Sequence, residues 1–350
     1  MREELGRSVY LSESEGISDA PDLSSGVPVF VSLHRQEEMR DGWKEKVIRF
    51  CESMAKKNCS ILADISRHTL EAMRVDSIRE LCALLHLNAV RFDFGFTISE
   101  IRAASKETKV VLNASCIREE EMRELSGCTG LSAMHNFYPR PETGLDEEYL
   151  KEQTELLHAY GFQVIAFIAG TGRKRGPIHE GLPTLEAHRY EPPLYACADL
   201  ILKYGIDQVY VGDPELELSE QKRIERFLKE GVLEVPCILN KGYESLYDQV
   251  FTNRLDSPKG LIRAAESRAY SVSSNRMVKP EGMRPRWRGT ITMDNENYLR
   301  YAGEIMIMRT DHPQDARVNV IGTVRKNYIP ILDLIERGAQ FVLTKETMRG

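Results

Sequence analysis

Residues 163–170 read QVIAFIAG, a run that is apolar at nearly every position. A strand with this pattern is buried on both faces, as in parallel sheets that are covered by helices. The helical pattern DEEYLKEQTELLHAYG precedes it, and PLYACADLILKYG lies further along the chain. Because helical crossovers join parallel neighbours, this part of the chain is predicted to form a parallel α/β fold.

The same strand–helix unit recurs throughout the first 231 residues. Strands are predicted at residues 8–11, 29–34, 59–66, 89–95, 110–115, 130–137, 163–170 and 207–214. This number of units over this length predicts a (β/α)8 barrel, or TIM barrel, for residues 1–231. The first connection, SESEGISDAPDLSSG, is a poor helix. A doubly wound open sheet is the alternative, although no GxGxxG motif follows the first strand.

The pattern changes near residue 232. GTITMD, YAGEIMIM, ARVNVIGTV and AQFVLT read as strands, Pro and Gly punctuate them, and ILDLIERG predicts one short helical turn. A smaller, mainly-β domain is therefore predicted for residues 232–350.

Composition and charge narrow the class of protein. The net charge is -6 and the basic residues are scattered, which argues against nucleic acid as a partner. No apolar run approaches the roughly 18 residues of a membrane span, and the charged N-terminus does not resemble a signal peptide. The seven cysteines form no CxxC pair, so we expect reduced thiols and a cytoplasmic location.

Polar side chains follow the predicted strands at their C-terminal ends, where a TIM barrel builds its active site. Ionisable groups inside an apolar barrel are costly unless they are paired or used, so their joint occurrence predicts a site. The positions are Tyr10, Glu13, Ser32, His34, Asp64, Ser66, Arg91, Asp93, Asn113, Ser115, Tyr210, Asp213 and, within HNFYPR, His135, Asn136, Tyr138 and Arg140.

Structural roles compete with chemistry at several of these positions. Asp64 is as well placed to cap the next helix as to react. Arg91 and Asp93 point to the same barrel face and can form a structural ion pair. Asp213 precedes a proline and can fix a turn, and the histidines of the ring can be hydrogen-bonded wall residues.

The loop after the seventh strand, TGRKRGPIHEGLPTLEAHRYEPP, is far longer than a usual βα connection and predicts a lid or binding loop. Arg173, Lys174 and Arg175 stand beside glycines and predict an anion site, with a solvated basic turn as the alternative. Glu180 is a candidate general acid or base.

The residues that metal-dependent and Schiff-base mechanisms require are missing from the expected positions. No His-x-His or His-x-x-x-His spacing indicates a metal site, so no metal and no cofactor are expected. Lys109 starts its strand, which is the wrong end for a Schiff-base lysine. Paired carboxylates are the best-supplied option, and the catalytic candidates are Asp64, Asp93, Glu180 and Asp213.

In several of these motifs, the sequence resembles the 6-phospho-N-acetylmuramidase family. The resemblance covers nearly the whole chain and is carried by VSLHRQEE, LADIS, VRFDFG, LNAS, HNFYPRPETGL, RGPIHEGLPTLEAHR, VYVGDP, TNRLD, ITMDNENYLRYAGE and RVNVIGTV. It implies a TIM barrel followed by a cyclophilin-like β domain. It also implies a cytoplasmic glycosidase that cleaves the β-1,4 bond of N-acetylmuramic acid 6-phosphate–N-acetylglucosamine during cell-wall recycling.

The resemblance implies that basic residues bind the 6-phosphate and that two carboxylates cleave the bond. By position, Glu180 or Asp213 is the expected acid, and Asp64 or Asp93 the base or nucleophile. The expected substrate-binding residues are Arg91, Asn113, His135, Asn136, Tyr138, Arg140 and Arg175, with Arg254, Tyr301 or Glu304 of the β domain as possible additions. A sugar-phosphate isomerase or epimerase and a non-catalytic carbohydrate-binding protein are the alternatives.

Overall fold

The computed structural model describes residues 4–11, 23, 25–34, 39, 41–93, 95–267 and 278–345. Glu13 lies outside the described residues. The chain forms two compact units, Met1–Leu228 and Lys229–Gly350. The first unit is built around a parallel sheet and the second around a mainly antiparallel one.

Eight parallel strands close into a barrel in the first unit, which confirms the predicted TIM barrel. They are β1 Gly6–Val9, β2 Val29–Ser32, β3 Ile61–Ile65, β4 Ala89–Phe92, β5 Lys109–Asn113, β6 Leu131–Met134, β7 Gln163–Ile168 and β8 Gln208–Val211. Ser32 pairs with Asp64, and Asp64 pairs with Arg91, in the register of β2, β3 and β4. Three polar residues therefore stand at one level of the barrel, near its C-terminal edge.

Helices surround the barrel. They are α1 Trp43–Lys56, α2 Arg67–Met73, α3 Ile78–Leu85, α4 Ile98–Ala104, α5 Glu119–Leu125, α6 Glu147–Ala159, α7 Pro193–Leu202 and α8 Leu218–Glu230, with a 3-10 turn at Glu186–His188. In α1, the side chains of Val47, Phe50, Cys51 and Met54 are buried, at the i, i+3, i+4, i+7 spacing of one helix face. This apolar face packs the helix onto the barrel.

Side chains fill the interior of the barrel, so it is a packed core rather than a pore. The cluster comprises Phe30, Leu62, Val111, Met134, Ile165, Phe167 and Tyr210. Gly6 has to be glycine, because a Cβ there would lie 2.2 Å from the ring of Tyr210. At the mouth, the rings of Phe137 and Phe167 pack edge to face with centroids 5.1 Å apart.

The second unit contains a seven-stranded sheet in the order β10-β15-β9-β14-β12-β13-β11 among its described residues. The strands are β9 Val232–Leu239, β10 Val250–Thr252, β11 Leu261–Arg263, β12 Thr290–Asp294, β13 Ile305–Met308, β14 Val318–Val324 and β15 Gln340–Lys345. Short 3-10 helices lie at Glu244–Leu246, Glu296–Tyr301 and Lys326–Leu334. The prediction of a mainly-β unit is confirmed; its cyclophilin-like character and its boundary at residue 232 stay predictions.

The strands that the sequence did not predict have local reasons. Pro236 lies inside β9, and a proline lacks the N–H that a central strand needs. It is tolerated because the neighbouring strand β14 pairs with β9 only at residues 237–239. Strands β10 and β11 have three residues each, too few to show an alternating pattern.

Candidate active site

A cavity of about 200 Å³ opens at the C-terminal ends of the barrel strands. We call it the mouth cavity. Three phenylalanines, Phe30, Phe137 and Phe167, form its apolar wall. Seven of the sequence-predicted residues line the rest: His34, Asp64, Arg91, Asp93, His135, Asn136 and Tyr138. Residues that are distant in sequence thus meet in one cavity because their strands end at the same edge.

The centre of the mouth cavity is a buried ion pair. Arg91 Nη1 donates to both carboxylate oxygens of Asp64, each at 3.0 Å, and Arg91 Nη2 donates to Asn136 Oδ1. The side chains of Arg91 and Asp64 are each 5% exposed. Asp64 does not cap α2, because the N-cap residue of that helix is Ser66, whose backbone N–H donates to Thr69 Oγ1 at 3.0 Å. The carboxylate of Asp64 therefore lines the mouth cavity instead of capping a helix.

The surroundings of Asp64 keep it ionised. Burial alone would raise its pKa, but the positive charge of Arg91 and the hydrogen bond with His34 outweigh burial and lower it. The His34 Nδ1 to Asp64 Oδ2 distance is 3.2 Å. The same contact outweighs the effect of burial on His34, whose pKa is raised. Asp64 therefore remains a carboxylate below the pH at which an ordinary Asp protonates.

Asp93 has the opposite electrostatics. Burial raises its pKa, and the nearby charge of Asp64 raises it further. Its cationic neighbours are more distant: Arg91 Nη1 lies 3.8 Å from Asp93 Oδ1, and His34 Nε2 lies 3.9 Å from Asp93 Oδ2. Its side chain is 24% exposed, against 5% for Asp64. The pKa values of the two carboxyl groups are pushed apart, which is the pattern of an acid and its ionised partner.

His135 forms part of the wall as a neutral imidazole. Burial and the charge of Arg91 lower its pKa to about 3. Its Nδ1 lies 3.3 Å from Ser115 Oγ, and its buried Nε2 has no hydrogen-bond partner among the described residues. A buried imidazole with a free nitrogen at a cavity can bind a ligand hydroxyl.

Arg175, from the loop after β7, lies against the aromatic wall of the mouth cavity. Its guanidinium lies 3.9 Å from the ring centroid of Tyr10 and 5.6 Å from that of Phe137, and the residue is buried. Tyr10 is fixed by a hydrogen bond from its hydroxyl to the carbonyl of Gly212, at 2.6 Å. Cation–π contacts thus hold a basic side chain beside the apolar wall.

Asp213 is buried but does not line the mouth cavity. Its Oδ2 accepts from the backbone N–H groups of Gly170 and Leu182, and its Oδ1 accepts from that of Arg175. The carboxylate therefore joins the start of the loop that follows β7 to the middle of that loop. Glu180 lies in the same loop outside the mouth cavity, where Tyr190 donates to it at 3.0 Å.

Sequence reasoning missed Arg189, which is 1% exposed and joins the loops after β6 and β7. Its Nη1 donates to the carbonyls of Tyr138 and Gly181, and its Nη2 donates to the carbonyl of Arg140. Glu186 accepts from its Nε at 2.7 Å. The motif EGLPTLEAHR contains both residues, but only the fold shows that the arginine points inward.

A second cavity, of about 340 Å³, lies beside the first, and we call it the side cavity. Asn113 lines it rather than the mouth cavity, whereas Asp93 lines both. The other polar residues of its wall are Thr97, Cys116 and Glu121, and the remaining wall is apolar. Arg140, also predicted for the site, is exposed and lines neither cavity.

In the second unit, the residues expected to add to the site belong to a network of charges. Arg263 Nη2 donates to Glu304 at 2.8 Å, and Arg254 Nη1 lies 3.9 Å from Glu304. The hydroxyl of Tyr301 accepts from Arg300. The two arginines, Arg254 and Arg263, compensate the negative charge of the buried Glu304 carboxylate within the second unit.

Among the described residues, no group of three or more His, Cys, Asp or Glu side chains is arranged to hold a metal ion. None of the helices in the described ranges combines the length and the apolar character that crossing a lipid bilayer requires.

The fold and the site define a TIM-barrel protein with a carboxylate-lined cavity at the strand ends where such barrels carry catalysis. Family models described as "6-phospho-N-acetylmuramidase, N-terminal" and "6-phospho-N-acetylmuramidase, C-terminal" match residues 5–226 and 233–344. The chain belongs to the 6-phospho-N-acetylmuramidase family, which confirms the resemblance seen in the sequence. This membership supports a glycosidase type of function.

Two solved structures match over nearly their whole length. A conserved protein of unknown function from Enterococcus faecalis is 31% identical, with a TM-score of 0.82, and the match covers 98% of this chain and 97% of that one. An uncharacterized B. cereus protein is 23% identical with a TM-score of 0.81, over 99% and 100% of the two chains, and shows the fold alone. No curated protein matches the chain.

Proposed function

We propose that the protein hydrolyses the β-1,4 bond between N-acetylmuramic acid 6-phosphate and N-acetylglucosamine, as a cytoplasmic step of cell-wall recycling. The family membership supports the phosphorylated muramyl substrate. The observation that carries the chemistry is the pair Asp64 and Asp93, which line one cavity and whose pKa values move in opposite directions. Two carboxyl groups so tuned are what glycoside hydrolysis requires.

Asp93 is the general acid of this proposal. Its raised pKa and its exposure of 24% allow it to hold a proton and to reach a ligand. In the reaction, the proton of Asp93 passes to the glycosidic oxygen as the bond from that oxygen to the anomeric carbon breaks. Water then supplies the hydroxyl that bonds to the anomeric carbon and returns a proton to the site.

Asp64 is the carboxylate that stays charged. It is oriented by two hydrogen bonds from Arg91 and by His34, so its geometry is set before substrate binds. A fixed negative charge stabilises the positive charge that develops on the sugar ring in the oxocarbenium-like transition state. Arg91 and His34 are positioning residues in this scheme.

The substrate's phosphate and lactyl carboxylate need cations. Arg175 stands beside the wall of the mouth cavity, and Lys174 precedes it in the same loop. Asn136, Tyr138 and the free nitrogen of His135 supply hydrogen-bonding groups for sugar hydroxyls. This distribution supports the mouth cavity as the place of the phosphorylated sugar in the proposal.

Product analysis with the phosphorylated and the unphosphorylated disaccharide tests the proposal. The wild-type protein should release N-acetylglucosamine from the phosphorylated form and be much slower on the other, because the phosphate contacts are missing. Isomerised or epimerised product without bond cleavage would identify a sugar-phosphate isomerase instead. Binding without any product would identify a carbohydrate-binding protein.

A further inference from the structure

Among the described residues, Asp93 is the wall residue that the mouth cavity and the side cavity share. A ligand that occupies both cavities must therefore pass this side chain. In a disaccharide, the atom between the two rings is the glycosidic oxygen. The two cavities and the acid between them thus have the arrangement that cleavage of a two-ring substrate needs.

The two cavities differ in the charges of their walls, and this difference indicates which of the two sugar rings each cavity binds. Among the described residues, the polar wall of the side cavity includes the carboxyl groups of Asp93 and Glu121 but no Lys or Arg, and the carboxylate of Glu121 lies 3.6 Å from Arg118 Nη2. The mouth cavity includes Arg91, and Arg175 lies against its aromatic wall. A phosphate or lactyl carboxylate therefore finds no cation to bind it in the wall of the side cavity, whereas an uncharged sugar needs none.

The walls of the side cavity suit an amphipathic ring. Phe92 and Phe96 pack edge to face with centroids 4.6 Å apart and, with Ile101, give it an apolar side. Asn113 Oδ1 accepts from the backbone of Ser115, which leaves the amino group of Asn113 as a donor for a ligand. Few polar groups in a mostly apolar cavity are typical of a small-molecule site.

We propose that the side cavity is the subsite for the uncharged leaving sugar, N-acetylglucosamine, with Asn113 as a specificity-determining contact. The proposal rests on the proposed function and adds to it the direction in which the substrate lies. The reducing-end sugar occupies the side cavity, and the phosphorylated sugar occupies the mouth cavity.

Cys116 allows the subsite to be tested without measuring turnover. It is exposed and lines the side cavity, whereas Cys82 and Cys128 are only half-buried and lie elsewhere. The experiment is alkylation of the wild-type protein by iodoacetamide, followed by peptide mass spectrometry at the three cysteines. We expect N-acetylglucosamine at ten times its dissociation constant to slow alkylation of Cys116 by about tenfold, because only the free form reacts.

The controls separate this proposal from the proposed function. Inorganic phosphate should not protect Cys116, and N-acetylglucosamine should not protect Cys82 or Cys128. Asn113→Leu should abolish the protection while its melting temperature shows that it is folded. Protection without hydrolysis would contradict the proposed function and retain the subsite. Hydrolysis by a protein whose Cys116 stays equally reactive at saturating sugar, or is protected equally by phosphate, would overturn the subsite.

Discussion

Arg91 and Asp64 stand opposite each other in the register of β4 and β3, and one arginine nitrogen donates to both carboxylate oxygens at 3.0 Å. The pair is buried, so each charge depends on the other for compensation. Removing one partner of such a pair leaves an unpaired charge inside the protein, which costs far more than the loss of an exposed ion pair.

Arg91→Met should therefore destabilise the protein by about 3–5 kcal/mol at neutral pH. The expected cause is the unpaired carboxylate of Asp64, so the double variant Arg91→Met/Asp64→Leu should recover part of the loss. Urea unfolding measures both. Arg67→Met is the control, because Arg67 pairs with Glu100 at the surface, where both side chains are more than 40% exposed. An equal loss for the two single variants would contradict the importance of the buried pair.

Asp213→Asn should loosen the loop that follows β7. An asparagine has one acceptor oxygen, and its amino group would face backbone N–H groups that Asp213 now satisfies. The unsatisfied donors should cost about 1–3 kcal/mol. Trypsin should then cleave faster after Arg173 and Lys174, as followed by mass spectrometry.

The exposed Asp76→Asn serves as the control for that experiment. If Asp213 is instead one of the reacting carboxyl groups, Asp213→Asn will lose turnover while its proteolysis rate stays that of the wild type. The two roles are thus separated by the protease assay rather than by activity alone.

His135 should make the stability fall as the pH drops. Its pKa is about 3 in the folded protein and near 6.5 when unfolded, so the unfolded chain binds a proton that the folded chain excludes. The contribution of neutral His135 to the free energy of unfolding is fully present above pH 6.5. It is lost as the pH falls towards 3, at up to about 1.4 kcal/mol per pH unit. His135→Asn should remove that part of the slope.

Urea unfolding at pH 7 and pH 5 should show this as a difference of about 2 kcal/mol between the wild type and the variant. The exposed His68→Asn is the control and should keep the slope of the wild type. An unchanged slope in His135→Asn would mean that the imidazole is not buried in its neutral form.

Asp294, in the second unit, should make the stability fall as the pH rises, which is opposite to the effect of His135. Burial and the neighbouring Glu304 raise its pKa from 3.8 to about 7, and its Oδ1 has no hydrogen-bond partner among the described residues. A raised pKa in the folded state gives stability that is full below pH 3.8 and is lost as the pH rises through 7. Asp294→Asn should thus gain up to about 4 kcal/mol over the wild type at pH 8, with little gain at pH 4.

The fluorescence of Trp287 reports on this unit in a Trp43→Phe background, because the chain has two tryptophans and one lies in each unit. A gain of the same size at both pH values would show that the substitution acts through packing rather than through ionisation.

The barrel could be predicted from the sequence because most of its strands are mainly apolar and helices separate most of them. The sequence also placed seven residues of the mouth cavity, since residues at the C-terminal ends of parallel strands meet at one edge. The sequence could not distinguish the role of Asp64 from that of Asp213, because each is an acidic residue at or just after the C-terminal end of a strand. Only the fold shows that Asp64 accepts from a side chain at the cavity, whereas Asp213 accepts from three backbone amides.

The contacts between loops could not be predicted from the sequence either. Arg189 belongs to a polar loop and has no apolar periodicity around it, so nothing local indicates that it is buried. Its hydrogen bonds to carbonyl groups of the loop after β6 depend on how close two loops come in three dimensions. The same holds for Asp93, whose position between two cavities depends on the packing of α4 and α5 beside the strands.

The assignment of Asp93 as the proton donor is tested most directly by changing how much the leaving group needs that proton. Asp93→Asn should lose about 100- to 10,000-fold in kcat on the muramyl disaccharide. On the nitrophenyl glycoside of N-acetylmuramic acid 6-phosphate, whose leaving group needs no proton, it should retain a rate close to that of the wild type. Equal losses on the two substrates, or full activity of the variant on the disaccharide, would contradict the assignment.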